Sequence, residues 1–259
     1  MPNVAPAVYI QAASAIGTGL TAFKLRSIGL SDRYRTFFAY LIFRAAYVLF
    51  MLFLPVTSKA YFYAYLFAQP IDWFFYVAVV VELSKLVLER HKGLYTVGRW
   101  AMYLGVAVSV TLSAASLLVK IIPHEPQIST FAINLVMATE RGLDFALAIY
   151  LILMLLFLNL YTVPLSRNIV WHAAIYTVFF VSGALGAILR TFFGMKFRTE
   201  TDAASLAGSC ACVLAWYFLL TPKGEEARVR QPWFKPEQEE RILHQLDSLN
   251  ATLLKVARK

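Results

Sequence analysis

Residues 61–88 read YFYAYLFAQPIDWFFYVAVVVELSKLVL. Only Asp72, Glu82 and Lys85 carry formal charge in that run. A helix needs about 20 mostly apolar residues to cross the roughly 30 Å hydrocarbon layer, so the run predicts a membrane span with length to spare. A barrel strand would instead read as a short alternating segment.

Six further stretches qualify on the same grounds. They are Ala5–Phe23, Thr36–Leu54, Arg99–Ile121, Ile128–Leu160, Ile169–Phe193 and Ala203–Thr221. Pro55, Pro123, Pro126, Pro164 and Pro222 fall between the stretches, where a missing N–H costs little. The composition agrees. Of 259 residues, 59% are hydrophobic and 15% charged, with a mean hydropathy of +0.62. A soluble domain carries roughly 25% charged residues, so a cytosolic enzyme, a secreted domain and a disordered chain are excluded. Cys210 and Cys212 stand too close in sequence to form a disulfide framework. The expected fold is an all-α polytopic membrane protein, a seven-transmembrane-helix bundle over residues 1–221, followed by a tail over 222–259.

Basic residues orient it. Lys24, Arg26, Arg33, Arg35, Arg90, Lys92, Arg99, Arg167 and eight tail residues put 16 of the 24 on one side. The positive-inside rule then sets the N-terminus outside and the C-terminus in the cytoplasm of a cell membrane. The net charge of +9 follows from this bias, which suits an anionic inner leaflet rather than nucleic acid.

Chemical motifs are sparse. The seventh stretch has no lysine for a retinal Schiff base, and His91, His124, His172 and His244 lie in connections, at a span end or in the tail. There is no His-Glu-x-x-His and no phosphate-cradling Gly-rich loop ending in Lys-Ser/Thr. No cofactor and no metal are expected, and an enzyme is disfavoured. Ala203, Ala207, Ala211 and Ala215, with Gly183 and Gly186, supply the small residues that let membrane helices approach closely.

Two resemblances accompany this layout. Glu89-Arg90-His91 at the inner end of the third span is similar to the acidic-Arg-aromatic triplet of eukaryotic G-protein-coupled receptors. That family's Asn-Pro-x-x-Tyr and Cys-Trp-x-Pro motifs are absent, and its mechanism is not carried over. Pro164-Leu165-Ser166-Arg167-Asn168 with Thr221-Pro222-Lys223-Gly224-Glu225 resembles uncharacterised bacterial seven-helix integral membrane proteins, a likeness that implies the fold and no activity.

An ionisable side chain within a span costs at least ~2.5 kcal/mol and faces a partner or a wet cavity. Counting depth along each helix, Arg44 and Glu82 fall at similar levels and are expected to form a buried ion pair. Gln69, Asp72, Glu140, Arg141, Asp144 and Arg190 form an outer layer. They are read either as an outward-facing polar pocket, with Arg141 and Arg190 as anion donors, or as headgroup contacts beside Trp73. Pro70 should kink the third span next to Asp72.

The tail predicts a helix over about 236–258. Glu237, Glu239 and Glu240 stand at its start, Lys255, Arg258 and Lys259 at its end, as the helix dipole favours. Ile242, Leu246, Leu249, Leu253 and Val256 recur at 4,3,4,3 spacing and form an apolar seam. A second copy of the chain, a partner protein or the underside of the bundle would cover it. Together these features are read as a heptahelical, receptor-like sensor for an unidentified small ligand. The alternative is a small-molecule or ion transporter using the intramembrane charges.

Overall fold

The structure is a computed structural model and describes residues 4–55, 58–88, 92–121, 128–160, 165–193, 198–226, 228–229 and 236–257. Among these, each of the seven apolar stretches is helical: α1 (Val4–Ser27), α2 (Arg35–Leu52), α3 (Lys59–Val87), α4 (Lys92–Ile121), α5 (Ile128–Leu160), α6 (Arg167–Phe193) and α7 (Arg198–Leu219). A short α8 (Pro222–Glu226) and the tail helix α9 (Pro236–Ala257) follow. The Glu89-Arg90-His91 triplet lies outside the described residues. So do the side chains of Arg190, Ile242 and Val256.

Local chemistry sets the boundaries. α1 stops because Gly29 adopts φ +73°, and the Leu30 N–H turns back onto the Leu25 carbonyl at 3.0 Å. Ser58 starts α3, its Oγ accepting from the Tyr61 N–H at 3.1 Å. α3 then runs through Pro70 as one helix. The described residues are almost entirely helical, as expected, with one short exception: Leu165–Ser166 (β1) pairs antiparallel with Arg228–Val229 (β2). This two-residue ladder fastens the start of the tail to the α5–α6 connection.

Six helices close a ring in the order α1, α2, α3, α5, α6, α7, and α7 returns to α1. α4 sits outside the ring, chiefly on α5 and lightly on α3, and α9 packs against α4. The ring closes at the C-terminal end of α1, where the Lys24 ammonium donates to the Tyr217 carbonyl and lies 4.9 Å from the Tyr217 ring centroid. The bundle's exterior is apolar: Phe23, Phe53, Phe67, Phe74 and Phe218 are each more than two-thirds exposed. A water-soluble monomer does not present so much aromatic surface. Three helical segments, Arg35–Leu52, Lys59–Val87 and Arg167–Gly186, are long and apolar enough among the described residues to cross a bilayer. The protein is a helical, membrane-associated protein.

α4 and α5 meet without space for a methyl group. A Cβ at Gly142 would stand 2.7 Å from the Ser109 carbonyl oxygen and 2.9 Å from Val110 Cα, both backbone atoms. Gly105, on the same α4, has nothing within 4 Å of that position. Gly142→Ala should therefore cost about 1–3 kcal/mol as the helices are forced apart. Gly105→Ala should be neutral or stabilising, by up to ~1 kcal/mol of helix propensity. Thermal unfolding of both variants in detergent checks this, and equal shifts would show that the α4–α5 contact is not tight.

Candidate ligand pocket

Arg44 on α2 does not pair with Glu82. Its Nη1 donates to Asp72 Oδ2 at 2.8 Å, and the Asp72 side chain is 2% exposed. Glu82 instead caps α2: Oε1 accepts from the Thr36 N–H at 2.8 Å and Oε2 from the Phe37 N–H at 3.2 Å. Helix-start amides lack intrahelical partners and attract a carboxylate. With Glu82 anchored there, Arg44 lies ~12 Å up α2 from Thr36, and Asp72 ~15 Å up α3 from Glu82. The long arginine side chain spans the difference. Depth counted from the ends of the apolar runs misses this offset between the two helices.

The pair borders a cavity of about 330 Å³. Arg44 and Tyr76 line it from α2 and α3; Asn134, Glu140, Arg141 and Asp144 from α5; Ser182 and Gly183 from α6; Ser205 and Ser209 from α7. Three of the six residues of the expected outer layer, Glu140, Arg141 and Asp144, thus come together. Asp72 holds Arg44 at the wall without lining the cavity itself, and its Oδ1 is buried with no hydrogen-bond donor among the described residues. Gln69 is buried one turn before Asp72 and does not line the cavity. The Asp144 carboxylate lies so close over Gly183 that a Cβ there would overlap Oδ2. A glycine on α6 is what lets this acid enter the pocket.

Tyr76, Asn134 and the three serines add to the lining beyond the expected outer layer. The available signal was the i,i+4 spacing of Ser205 and Ser209, beside the alanine stripe of α7. Ser182 and Ser209 each donate to their own helix, at 2.8 and 3.0 Å, which leaves hydroxyl lone pairs as acceptors. The lining therefore combines guanidinium donors, carboxylates and neutral acceptors. Among the described residues no three His, Cys, Asp or Glu side chains gather as a metal-ligand set.

Below the cavity the same helices carry a second tier. Phe37, His172, Tyr176, Phe180 and Trp216 are all at most 2% exposed. Their rings interlock, with centroids 4.5 Å apart for Phe37–His172 and 4.7 Å for Tyr176–Trp216. Tyr76, in the cavity wall, stacks edge-on to Phe180 at 5.4 Å and so joins the two tiers.

A third tier is polar and lies where the α1–α2 connection, the start of α6 and the end of α7 meet. Glu225 Oε2 accepts from the Tyr34 hydroxyl at 3.0 Å and from Asn168 Nδ2 at 3.1 Å, while Arg33 pairs with Oε1. Asn168 also donates to the Thr221 carbonyl at 2.8 Å. Burial and the neighbouring Glu225 carboxylate push the Tyr34 hydroxyl well above its ordinary titration range, so it stays a donor. The chain matches no family model, no curated protein and no solved structure.

Arg44→Ala strands the Asp72 carboxylate and should cost about 3 kcal/mol, near the low end for a buried pair because Arg44 remains partly exposed. Adding Asp72→Asn should recover most of that loss, whereas Arg44→Ala and Glu82→Gln should simply add. A double-mutant cycle read by thermal unfolding separates the cases. Coupling of residue 44 to 82 and none to 72 would overturn the pairing.

Proposed function

We propose that this protein is a heptahelical, receptor-like sensor that binds a small polar ligand in the 330 Å³ cavity and relays the event to its tail. The observation that carries the reading is the shared use of three helices. α2, α6 and α7 each contribute to the cavity (Arg44, Ser182, Ser209), to the aromatic tier (Phe37, Tyr176, Trp216) and, at or just beyond their inner ends, to the polar cluster. That cluster holds Glu225 at the start of the tail and Thr221 immediately before it. A ligand that moves the upper tier by a small amount shifts packed, bistable contacts below it. The packed aromatic tier also supports sensing over transport, because it leaves the cavity blind towards the inner side.

In this reading all seven helices cross a cell membrane, with the N-terminus outside and the tail in the cytoplasm. Position 31, in the α1–α2 connection, and position 199, at the start of α7, then lie on opposite sides. Cysteine substituted for Thr199 should react with an impermeant thiol reagent added outside, and cysteine for Ser31 only after permeabilisation. The reverse pattern would overturn the topology.

The tail seam is half used. Leu246 is buried, at 4% exposure, on a helix packed against α4, whereas Leu249 is 50% exposed. The exposed part is available to a second copy or to a partner protein. The functional test uses a panel of small carboxylates and amino-carboxylates as probes, with thermal stability as the first readout and crosslinking through Leu249→Cys as the second. At least one compound should stabilise the wild type and change the crosslinking. Arg141→Gln and Asp144→Asn should abolish both effects, and Glu225→Gln should keep the stabilisation while losing the tail response. Probe uptake into proteoliposomes, or stabilisation insensitive to both pocket variants, would overturn the sensor reading.

A further inference from the structure

The bundle has a second cavity, of about 640 Å³, between the start of α2, the outer face of α3 and α4. It shares no lining residue with the ligand cavity. On α3 the lining repeats at helical spacing: Phe74, Val77–Ala78, Val81–Glu82 and Lys85–Leu86. This stripe is opposite the buried face that carries Asp72, Tyr76, Val79, Val80 and Leu83. The groove exists because α4 leans on α5 and barely touches α3, and Tyr103 of α4 forms its far wall.

Its chemistry is graded along the helix. From Phe74 to Val81 the floor is apolar. At the inner end stand Arg33, Arg35 and Lys85, with Asp32 and Glu82. Two of these charges are already engaged, Glu82 by the α2 amides and Arg33 by Glu225. Among the described residues Arg35 donates to the Asp32 carbonyl, and neither it nor Lys85 has a carboxylate partner. The stripe from Phe74 to Lys85 is about 16 Å long at ~1.5 Å per residue. One leaflet's hydrocarbon is roughly 15 Å deep, half of the ~30 Å core.

We propose that this groove binds one anionic phospholipid from the leaflet that faces the α1–α2 connection. An acyl chain lies along Phe74, Val77, Ala78 and Val81, and the phosphate sits between Arg35 and Lys85. A phosphate bound between two cations, directly above an apolar channel of leaflet length, distinguishes this site from general solvation by lipid. A free phosphate would use only the basic end.

The test uses the purified full chain in detergent, titrated separately with phosphatidylglycerol, phosphatidylcholine and inorganic phosphate. Native mass spectrometry counts bound lipid, and thermal unfolding reports stabilisation. The wild type should hold one phosphatidylglycerol with about tenfold or greater preference over phosphatidylcholine, since each basic group near an anionic headgroup contributes a several-fold gain. Arg35→Gln combined with Lys85→Gln, both on exposed side chains, should erase the headgroup preference without unfolding the bundle. Ala78→Phe, which fills the channel, should weaken both lipids alike. Three results would overturn the proposal: no retained lipid, no headgroup preference in the wild type, or equal stabilisation by inorganic phosphate.

Discussion

A carboxylate sealed inside an apolar bundle has to meet a cation, and Asp72 leaves the helices around it little freedom. α3 can slide or rotate only as far as Arg44 can follow. The same two helices are pinned a second time, lower down, where Glu82 sits on the first amides of α2. Two polar contacts between a pair of antiparallel helices fix both their axial register and their rotation. Hydrocarbon contacts, being non-directional, leave those degrees of freedom nearly degenerate. With α2 and α3 so fixed, the rings of Phe37, Tyr40 and Tyr76 face inward and the outer stripe of α3 faces α4. The exchange of partners also accounts for an otherwise awkward acid: Glu82 is stabilised by amide dipoles rather than by a cation.

The helices were legible in the sequence because hydropathy over twenty residues is a one-dimensional property. The stretch opening on Tyr61 shows its length and its apolar character without any knowledge of its neighbours. Grouping Glu140, Arg141 and Asp144 was also possible, since all three lie on one helix within five positions. What depends on the relation between helices was out of reach. The partner of Arg44 follows from the α2–α3 offset, which rests on a cap that hydropathy does not register. Gly183 reads as one more small residue until Asp144 is found above it. Asn168 and Glu225 are 57 residues apart, in two segments that stand out together in the sequence without showing that they touch. Their meeting is a result of ring closure. The β1–β2 ladder was hidden for the same reason, two residues being too short to carry any strand pattern.

The three tiers divide the labour of the bundle. Polar groups above and below are separated by a layer with almost no hydrogen bonding of its own. His172, Tyr176 and Trp216 keep buried polar atoms without partners among the described residues. Such a layer is held by shape and ring contact, and packed rings have few intermediate positions. Unsatisfied polar atoms there lower the cost of repacking, since an alternative arrangement has few hydrogen bonds to lose. The polar tiers are more exacting, because a shift there breaks directed contacts such as Arg44–Asp72 above and Tyr34–Glu225 below.

Closure of the ring has a consequence for biosynthesis. The two residues that seal it, Lys24 and Tyr217, are separated by 193 positions. Translation at 5–20 residues per second puts roughly 10–40 s between the emergence of the first helix and that of its last neighbour. Throughout that interval α1 has α2 beside it but no α7, so Thr18, Thr21 and Lys24 on a nascent helix lack the surroundings they have in the finished bundle. α7, made long after α1, is thus the helix that completes the surroundings of α1. A ribosome stalled or a chain cleaved before α7 would leave an open crescent of helices with its polar inner lining turned to lipid. Membrane quality-control proteases recognise that kind of exposure.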